Sequence, residues 1–399
     1  MPASIEFPGV FVEEIPGGSK TIAGVATSIT AFVGRTVTGP TEPTHCQNFA
    51  DFERSFGGRA PGLPLGDAVE DFFRNGGSHA VIVRVPNSAA AAGGSAGLGA
   101  ADLLGDPLQH TGIHALDHVD LFNLLCIPPD PAGVAFDDLR PLYQAAAAYC
   151  QKRRAMLILD PPAAWSGLAL QGRFDQIQPS DLGIGGPELE ARNCAVYFPR
   201  IKKLDPQTGQ IDVFPACGAV AGIFVATDSS VGVWKAPAGT TAGIRGITGL
   251  EFDLTDRQSG ELNALGINCL RNFPAVGPVV FGARTLRGAD QLSDDYKFVP
   301  VRRLALFLEE SILRGTKFAV FEPNDEPLWS QLRLSIGAFM ADLARQEAFH
   351  GFFVKCDRTT MTQDDIDRGI VNVQIGFAPL RPAEFVVLRI QLLAAQPPP

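Results

Sequence analysis

The stretch from residue 121 to residue 162 constrains the fold more than any other. Leu121–Ile127 is an apolar run that stops at Pro128-Pro129-Asp130. Asp137 to about Arg154 reads as a helix, with Asp137 or Asp138 as its cap and Arg153 and Arg154 in its last turn. Met156–Leu159 is a second apolar run, closed by Asp160-Pro161-Pro162. Strand, helix and strand of these lengths make a βαβ unit, because a crossover of this size returns the chain parallel to where it began. Part of the sheet is therefore expected to be parallel, with helices covering it.

Other segments extend this α/β pattern. Ile29–Gly34 and Ala80–Val85 read as strands. Between them, Leu65, Ala68, Val69, Phe72 and Phe73 have the spacing of a helix stripe, ended by Asn75-Gly76-Gly77. Residues 87–105 are rich in Ala and Gly and read as a linker. Cys194–Phe198 predicts another strand and Cys217–Val225 an apolar helix. From about residue 280 the rhythm changes. Val301–Leu313 and Glu326–Arg345 read as helices; Lys317–Phe321, Gly351–Cys356, Val371–Phe377 and Glu384–Leu392 read as strands. The fold class expected is thus α/β plus α+β: a mixed-sheet βαβ body over 23–280 and an α+β unit over 281–380. Flanking them are an extended N-terminal arm over 1–22 and a strand with a disordered tail over 381–399.

The two ends carry a distinct signal. Phe7, Val10, Phe11, Val12 and Glu13 lie in a short strand bracketed by Pro8-Gly9 and Pro16-Gly17-Gly18. Its apolar residues fall on both faces, which suits a strand inserted in a sheet. Twenty extended residues reach up to about 66 Å, enough to leave one subunit and pair with another. Phe385, Val386, Val387, Leu388, Arg389 and Ile390 form the matching strand at the other end. Neither strand has an obvious partner in the chain's own order.

Composition narrows the function classes. The 43 acidic side chains outnumber 33 basic ones, a formal charge of −10, so a surface that coats nucleic acid is not expected. The apolar uncharged run from Val213 to Thr227 is too short to cross a bilayer, and the N-terminus does not read as a signal peptide. The seven cysteines include no CxxC pair and read as reduced core residues.

Candidate chemistry is sparse. His110, His114 and His118 would share a helix face, as zinc ligands can, but Gly112 interrupts them and no HExxH occurs; no metal is expected. Asp130 and Asp160 follow the two strands of the βαβ unit, where α/β enzymes place magnesium ligands or bases. They support the alternative of a cytosolic magnesium-dependent enzyme, although both adjoin prolines and suit turns. Lys235 lies in an Ala-Pro-Ala-Gly turn, and Gly239–Gly243 lacks the ending of a phosphate loop. Arg302, Arg303, Arg333 and Arg345 are candidates for a modest basic surface. No catalytic residue and no cofactor are expected.

Motifs spread along the chain resemble the sheath subunits of contractile injection devices: phage tails, R-type bacteriocins and extracellular contractile injection systems. They include Phe7-Pro8-Gly9-Val10-Phe11-Val12-Glu13-Glu14, Asp51-Phe52-Glu53-Arg54-Ser55-Phe56-Gly57-Gly58, Phe72-Phe73-Arg74-Asn75-Gly76-Gly77 and Ile375-Gly376-Phe377-Ala378-Pro379-Leu380-Arg381-Pro382-Ala383-Glu384-Phe385. The resemblance implies stacked hexameric rings of one subunit around an inner tube, joined by terminal arms that add strands to neighbouring sheets. It implies contraction driven by stored conformational energy, without nucleotide hydrolysis. Implied partners are the tube protein, baseplate and tail-terminator proteins and sheath paralogues, with no nucleic acid and no membrane insertion. Assembly would take place in the bacterial cytoplasm, within a phage tail or a released tail-like particle. The resemblance also sets the α+β unit against the tube, with Arg333 and Arg345 as candidate tube-facing residues.

Overall fold

The computed structural model describes residues 20–86, 99–129, 139–184, 189–205 and 208–384. Of the expected arm strands, Phe7–Ile15 lies outside the described residues, as does Glu384–Leu392 beyond Glu384; Asp130, Asp137 and Asp138 lie outside them too.

The first eleven strands are β1 (Ile29–Gly34), β2 (Thr44–Cys46), β3 (His79–Arg84), β4 (Leu124–Cys126), β5 (Met156–Leu159), β6 (Cys194–Phe198), β7 (Ile201–Leu204), β8 (Ile211–Phe214), β9 (Gly249–Leu250), β10 (Asn268–Phe273) and β11 (Gly277–Val280). Eight of them make one sheet in the order β11-β10-β6-β5-β4-β1-β3-β2. From β10 through β3 neighbours run parallel, and an antiparallel strand closes each edge. β8, β7 and β9 form a small antiparallel sheet beside it.

Side chains alternate across a strand, so a sheet covered on both faces needs two cores. One core takes Ala31, Val33, Leu125, Leu157, Leu159, Val196 and Phe198. The other takes Phe32, Leu124, Cys126, Met156, Ile158, Ala195 and Tyr197. Ten helices are described: α1 (Phe49–Phe56), α2 (Pro64–Arg74), α3 (Ala100–Leu104), α4 (Arg140–Lys152), α5 (Ala163–Leu170), α6 (Cys217–Ser230), α7 (Asp256–Ala264), α8 (Val299–Gly315), α9 (Glu326–Arg345) and α10 (Gln363–Asp367). Side chains of α3, α4, α5 and α7 fill the first core, and those of α1, α2 and α6 the second.

From Cys217 to Val225 α6 is apolar all round, and there it is buried between the sheet and α2. Gly218 and Gly222 let it touch α2 by backbone: a Cβ on either would fall inside contact distance of the carbonyl oxygens of Ala68 and Phe72. Thr227 and Ser229 extend α6 past the expected end at Val225, each hydroxyl donating to the carbonyl four residues earlier.

After α9 come β12 (Phe349–Lys355) and β13 (Gln374–Pro379), an antiparallel pair separate from the large sheet. Ala283 and Val299 pack in one core of the large sheet and Leu286 in the other, so the segment after β11 stays with the body until α8 begins.

Two expectations are corrected. Residues 100–104, placed in a linker, form α3, whose Leu103 is buried and whose Asp102 accepts a hydrogen bond from the amide of Gly99. Lys317–Phe321, expected as a strand, is a 3-10 turn followed by fully exposed Phe321. The amides of Ala319 and Val320 bond back to Thr316 and Lys317 and so are not offered to a neighbouring strand.

Candidate functional site

Among the described residues β12 and β13 form a sheet of only two strands. On one face Phe352, Val354, Ile375 and Phe377 pack with Ile336, Phe339, Met340 and Leu343 of α9. On the other face Phe353 lies across Gly376 and is 58% exposed. Among the described residues no third strand joins either edge. Two strands alone are marginal in water, and their free N–H and C=O groups are a template for further pairing.

The root of the N-terminal segment runs along α8. Ile22, assigned from sequence to the arm, is buried against Gly315, where a Cβ would come within 2.6 Å of it. Gly24 passes the ring of Phe307, and the amide of Val25 donates to Ser311 Oγ at 3.1 Å. Lys20 Nζ sits 4.5 Å from the centre of the Phe318 ring. At the other end Glu384, the last described residue, reaches Arg284 of the body.

α8 is tied to the body by charge. Arg302 and Arg303, expected on a basic surface, are buried, because this face of α8 meets the body rather than solvent. Arg303 grips Asp228 of α6 through two hydrogen bonds of 2.7 Å, and Arg302 donates to Asn193 Oδ1. Arg314 donates to both carboxylate oxygens of Asp120, at 2.7 and 3.1 Å, and holds that carboxyl below its usual range. Arg333 pairs with Glu326 at 2.6 Å and donates to the Cys356 carbonyl. Arg345 is largely exposed, beside Asp342. The four arginines therefore share no single basic surface.

The groups singled out for chemistry are placed as follows. Asp160 is 2% exposed, and its Oδ1 accepts the amides of Ala216 and Cys217 at 2.7 and 3.0 Å. Its Oδ1 thus satisfies the first amides of α6, a structural role. Burial pushes its carboxyl above the usual range. At the carboxyl ends of the parallel strands, where α/β enzymes bind ligands, lies a cleft of about 510 Å³. Of its charged groups, Arg59 pairs with Glu70 at 2.7 Å and Arg200 donates to the Pro161 carbonyl, while Arg200 Nε is buried without a hydrogen-bond partner. His110 and His118 rings lie 4.6 Å apart, but His114 turns to Tyr149 instead. Among the described residues no group of three or more His, Cys, Asp or Glu could hold a metal ion, and no helix is long and apolar enough to cross a membrane. Lys235 is exposed in its turn.

The sequence reading missed a buried ionic cluster. Lys203 of β7 lies 2.8 Å from Asp71 and 3.1 Å from Asp67, both on α2. The i, i+4 carboxylates on an otherwise apolar helix face were its only signal.

Two family profiles match this chain: the phage tail sheath protein central domain over residues 192–286 and the phage tail sheath C-terminal domain over 291–392. A tail sheath protein of Vibrio phage KVP40 is 31% identical over 175 residues, which is 44% of this chain and 26% of that protein; the chain thus spans about a quarter of that relative. A putative prophage major tail sheath protein of Pseudomonas aeruginosa is 27% identical, with 97% of this chain and 96% of that protein covered. Among solved structures, the helical sheath of the anti-feeding prophage in its contracted state superimposes with a TM-score of 0.74 at 27% identity, covering 97% and 99% of the two chains. The contracted sheath complex of PVC, an extracellular contractile injection system, gives 0.71 at 26%, covering 98% of each.

Proposed function

Since this chain belongs to the tail sheath family, we propose that it polymerises as stacked hexameric rings around an inner tube and contracts to drive that tube through a target envelope. The energy is stored in subunit packing, and no nucleotide is hydrolysed. The observation that carries this reading is the β12–β13 pair, whose two edges are open among the described residues. Strands from neighbouring copies complete it: Phe7–Ile15 from one and Glu384–Leu392 from another. Backbone pairing of this kind supplies attachment through several hydrogen bonds, each worth about 0.5–1.5 kcal/mol net. The charge ties along α8 suit a subunit that turns as one block while the arms bend. Assembly takes place in the bacterial cytoplasm, and baseplate and tail-terminator proteins and sheath paralogues bound the stack at its ends.

The C-terminal unit, residues 281–380 in the sequence reading, faces the tube. Of the two candidate arginines, Arg345 has the more exposed side chain. A contact that must release during contraction is better polar than apolar. The enzyme alternative gains nothing from the fold, because Asp160 is committed to capping α6.

Deletion of residues 1–18 tests the reading. The truncated protein is expected to fold, as both cores of the large sheet and the α8–α9 core are retained, and to remain monomeric or form small oligomers by electron microscopy. Ordinary contractile sheaths from this protein would refute the arm role, and loss of folding would place the segment in the subunit's own core. Arg345→Glu is expected to weaken co-purification with the tube while sheath polymers still form; unchanged tube binding removes it from the interface.

A further inference from the structure

Arg284 is 1% exposed, in the segment that follows β11. Its own backbone is pinned: its amide donates to Asn268 Oδ1 at 2.6 Å, and its carbonyl accepts from Asn268 Nδ2 at 2.7 Å. Nη1 donates to the Asn263 and Gly288 carbonyls, at 2.7 and 3.1 Å, and to Asp290 at 3.0 Å. These partners hold one side of the guanidinium to the body. The other side, Nε and Nη2, is given to the two oxygens of Glu384, at 2.7 and 2.6 Å. Glu384 stands 100 residues later in the chain and five residues beyond the end of β13. Residues 380–384 therefore cross from the two-stranded sheet back to the body. The other ion pair tying this crossing among the described residues, Arg381 to Asp295 at 3.8 Å, is exposed on both sides.

We propose that Arg284 and Glu384 form a clasp that sets where, and in which direction, the segment beyond Glu384 leaves the subunit, and so which neighbouring copy of this chain it reaches. This rests on the reading of that segment as an inter-subunit strand. A two-point fork fixes a plane and a direction, whereas a single ammonium would fix only a position. The strand from Phe385 to Leu392 extends at most about 29 Å beyond Glu384, so the exit point decides which edges it can pair with. Holding one end in place also raises the strand's effective concentration at the correct neighbour. Load on the segment passes through Arg284 into β10 and α7 and bypasses the weaker two-stranded sheet.

Glu384→Ala separates this role from folding. Asp290 and two carbonyls remain on Arg284, so its charge is not left bare. Purified full-length wild-type and variant subunits are digested with chymotrypsin, and release of the peptide beginning at Val386 is followed by mass spectrometry. Cleavage follows the population of the opened segment, so Glu384→Ala is expected to speed release about tenfold, with Glu384→Asp between the two. Sheaths of Glu384→Ala counted by electron microscopy are expected to be about tenfold fewer. Unchanged cleavage overturns the clasp. Faster cleavage with normal sheaths overturns its role in directing the strand. Should Glu384→Ala unfold, Glu384→Gln, which keeps one acceptor, is judged by the same two results. Normal sheaths from a protein lacking 385–399 would instead refute the inter-subunit strand, leaving the protease result to decide the clasp.

Discussion

The eight-stranded sheet and the β12–β13 pair follow the same alternation of side chains and arrive at opposite states. In the large sheet every residue of β4, β5 and β6 is buried, and helices cover both faces. In the pair, one face rests on α9 and the other displays Phe353, with only Phe349 of the thirteen strand residues fully buried. The large sheet buries both of its faces within one chain. The small one has backbone and surface left over, which is what a chain that works in copies of itself needs.

The same substitution at two glycines gives the sharpest measure of this difference. At Gly218 a Cβ meets the carbonyl of Ala68, a fixed backbone atom between α2 and α6. Gly218→Ala is expected to cost about 3 kcal/mol, read from thermal and urea unfolding, because both helices must move apart.

A pH series comes next in size. Burial, opposed by Lys203 and reinforced by Glu70 and Asp67, raises the Asp71 carboxyl to about 6. Its folded value lies above the unfolded one, so its contribution is full below about pH 4 and is lost as pH rises through about 6. Asp357 and Asp365 in the C-terminal unit shift the other way, held low by hydrogen bonds from Thr359 and Thr362. Their contribution is present at neutral pH and lost as pH falls through their lowered values. Hydrogen exchange is therefore expected to show α2 better protected at pH 5 than at pH 7, with residues 357–367 unchanged. Asp71→Asn should remove most of the α2 response, the remainder belonging to Asp67, whose carboxyl burial also raises; a full response that persists would assign it to another group.

The smallest effect is expected at Gly376. A Cβ there meets the ring edge of Phe353, the far end of an exposed side chain that can swing away. Gly376→Ala should cost less than about 1 kcal/mol of subunit stability. A loss equal to that at Gly218 would mean that the β12–β13 face is as closed as the large sheet.

Legibility in the sequence followed distance along the chain. The βαβ unit was readable because each of its signals is local: apolar runs, a helix of the right length and proline stops. The β8-β7-β9 sheet was not, since Ile201-Lys202-Lys203-Leu204 carries two lysines and its pairing partners lie in two separate segments. Asp160 looked like a catalytic carboxylate because the amides it caps come 56 and 57 residues later. Arg302 and Arg303 looked solvated because nothing in their spacing reveals that α8 turns that face to Asp228 and Asn193. Glu384 stood within a motif that pointed to a family, but its partner Arg284 is out of reach of any local pattern.

The cysteines have a consequence for how the protein ages. All seven are buried and unpaired with one another. Burial pushes the thiols of Cys46, Cys269 and Cys356 up to about 11, and those of Cys150, Cys194 and Cys217 higher still. The thiolate is the form that oxidises and exchanges, so these sulfurs are chemically quiet. Copies of the chain can then meet oxidising surroundings without cross-linking through these thiols. For the same reason a single cysteine introduced on the surface would be the one site a maleimide dye modifies readily, giving fluorescence a clean view of one subunit's motion.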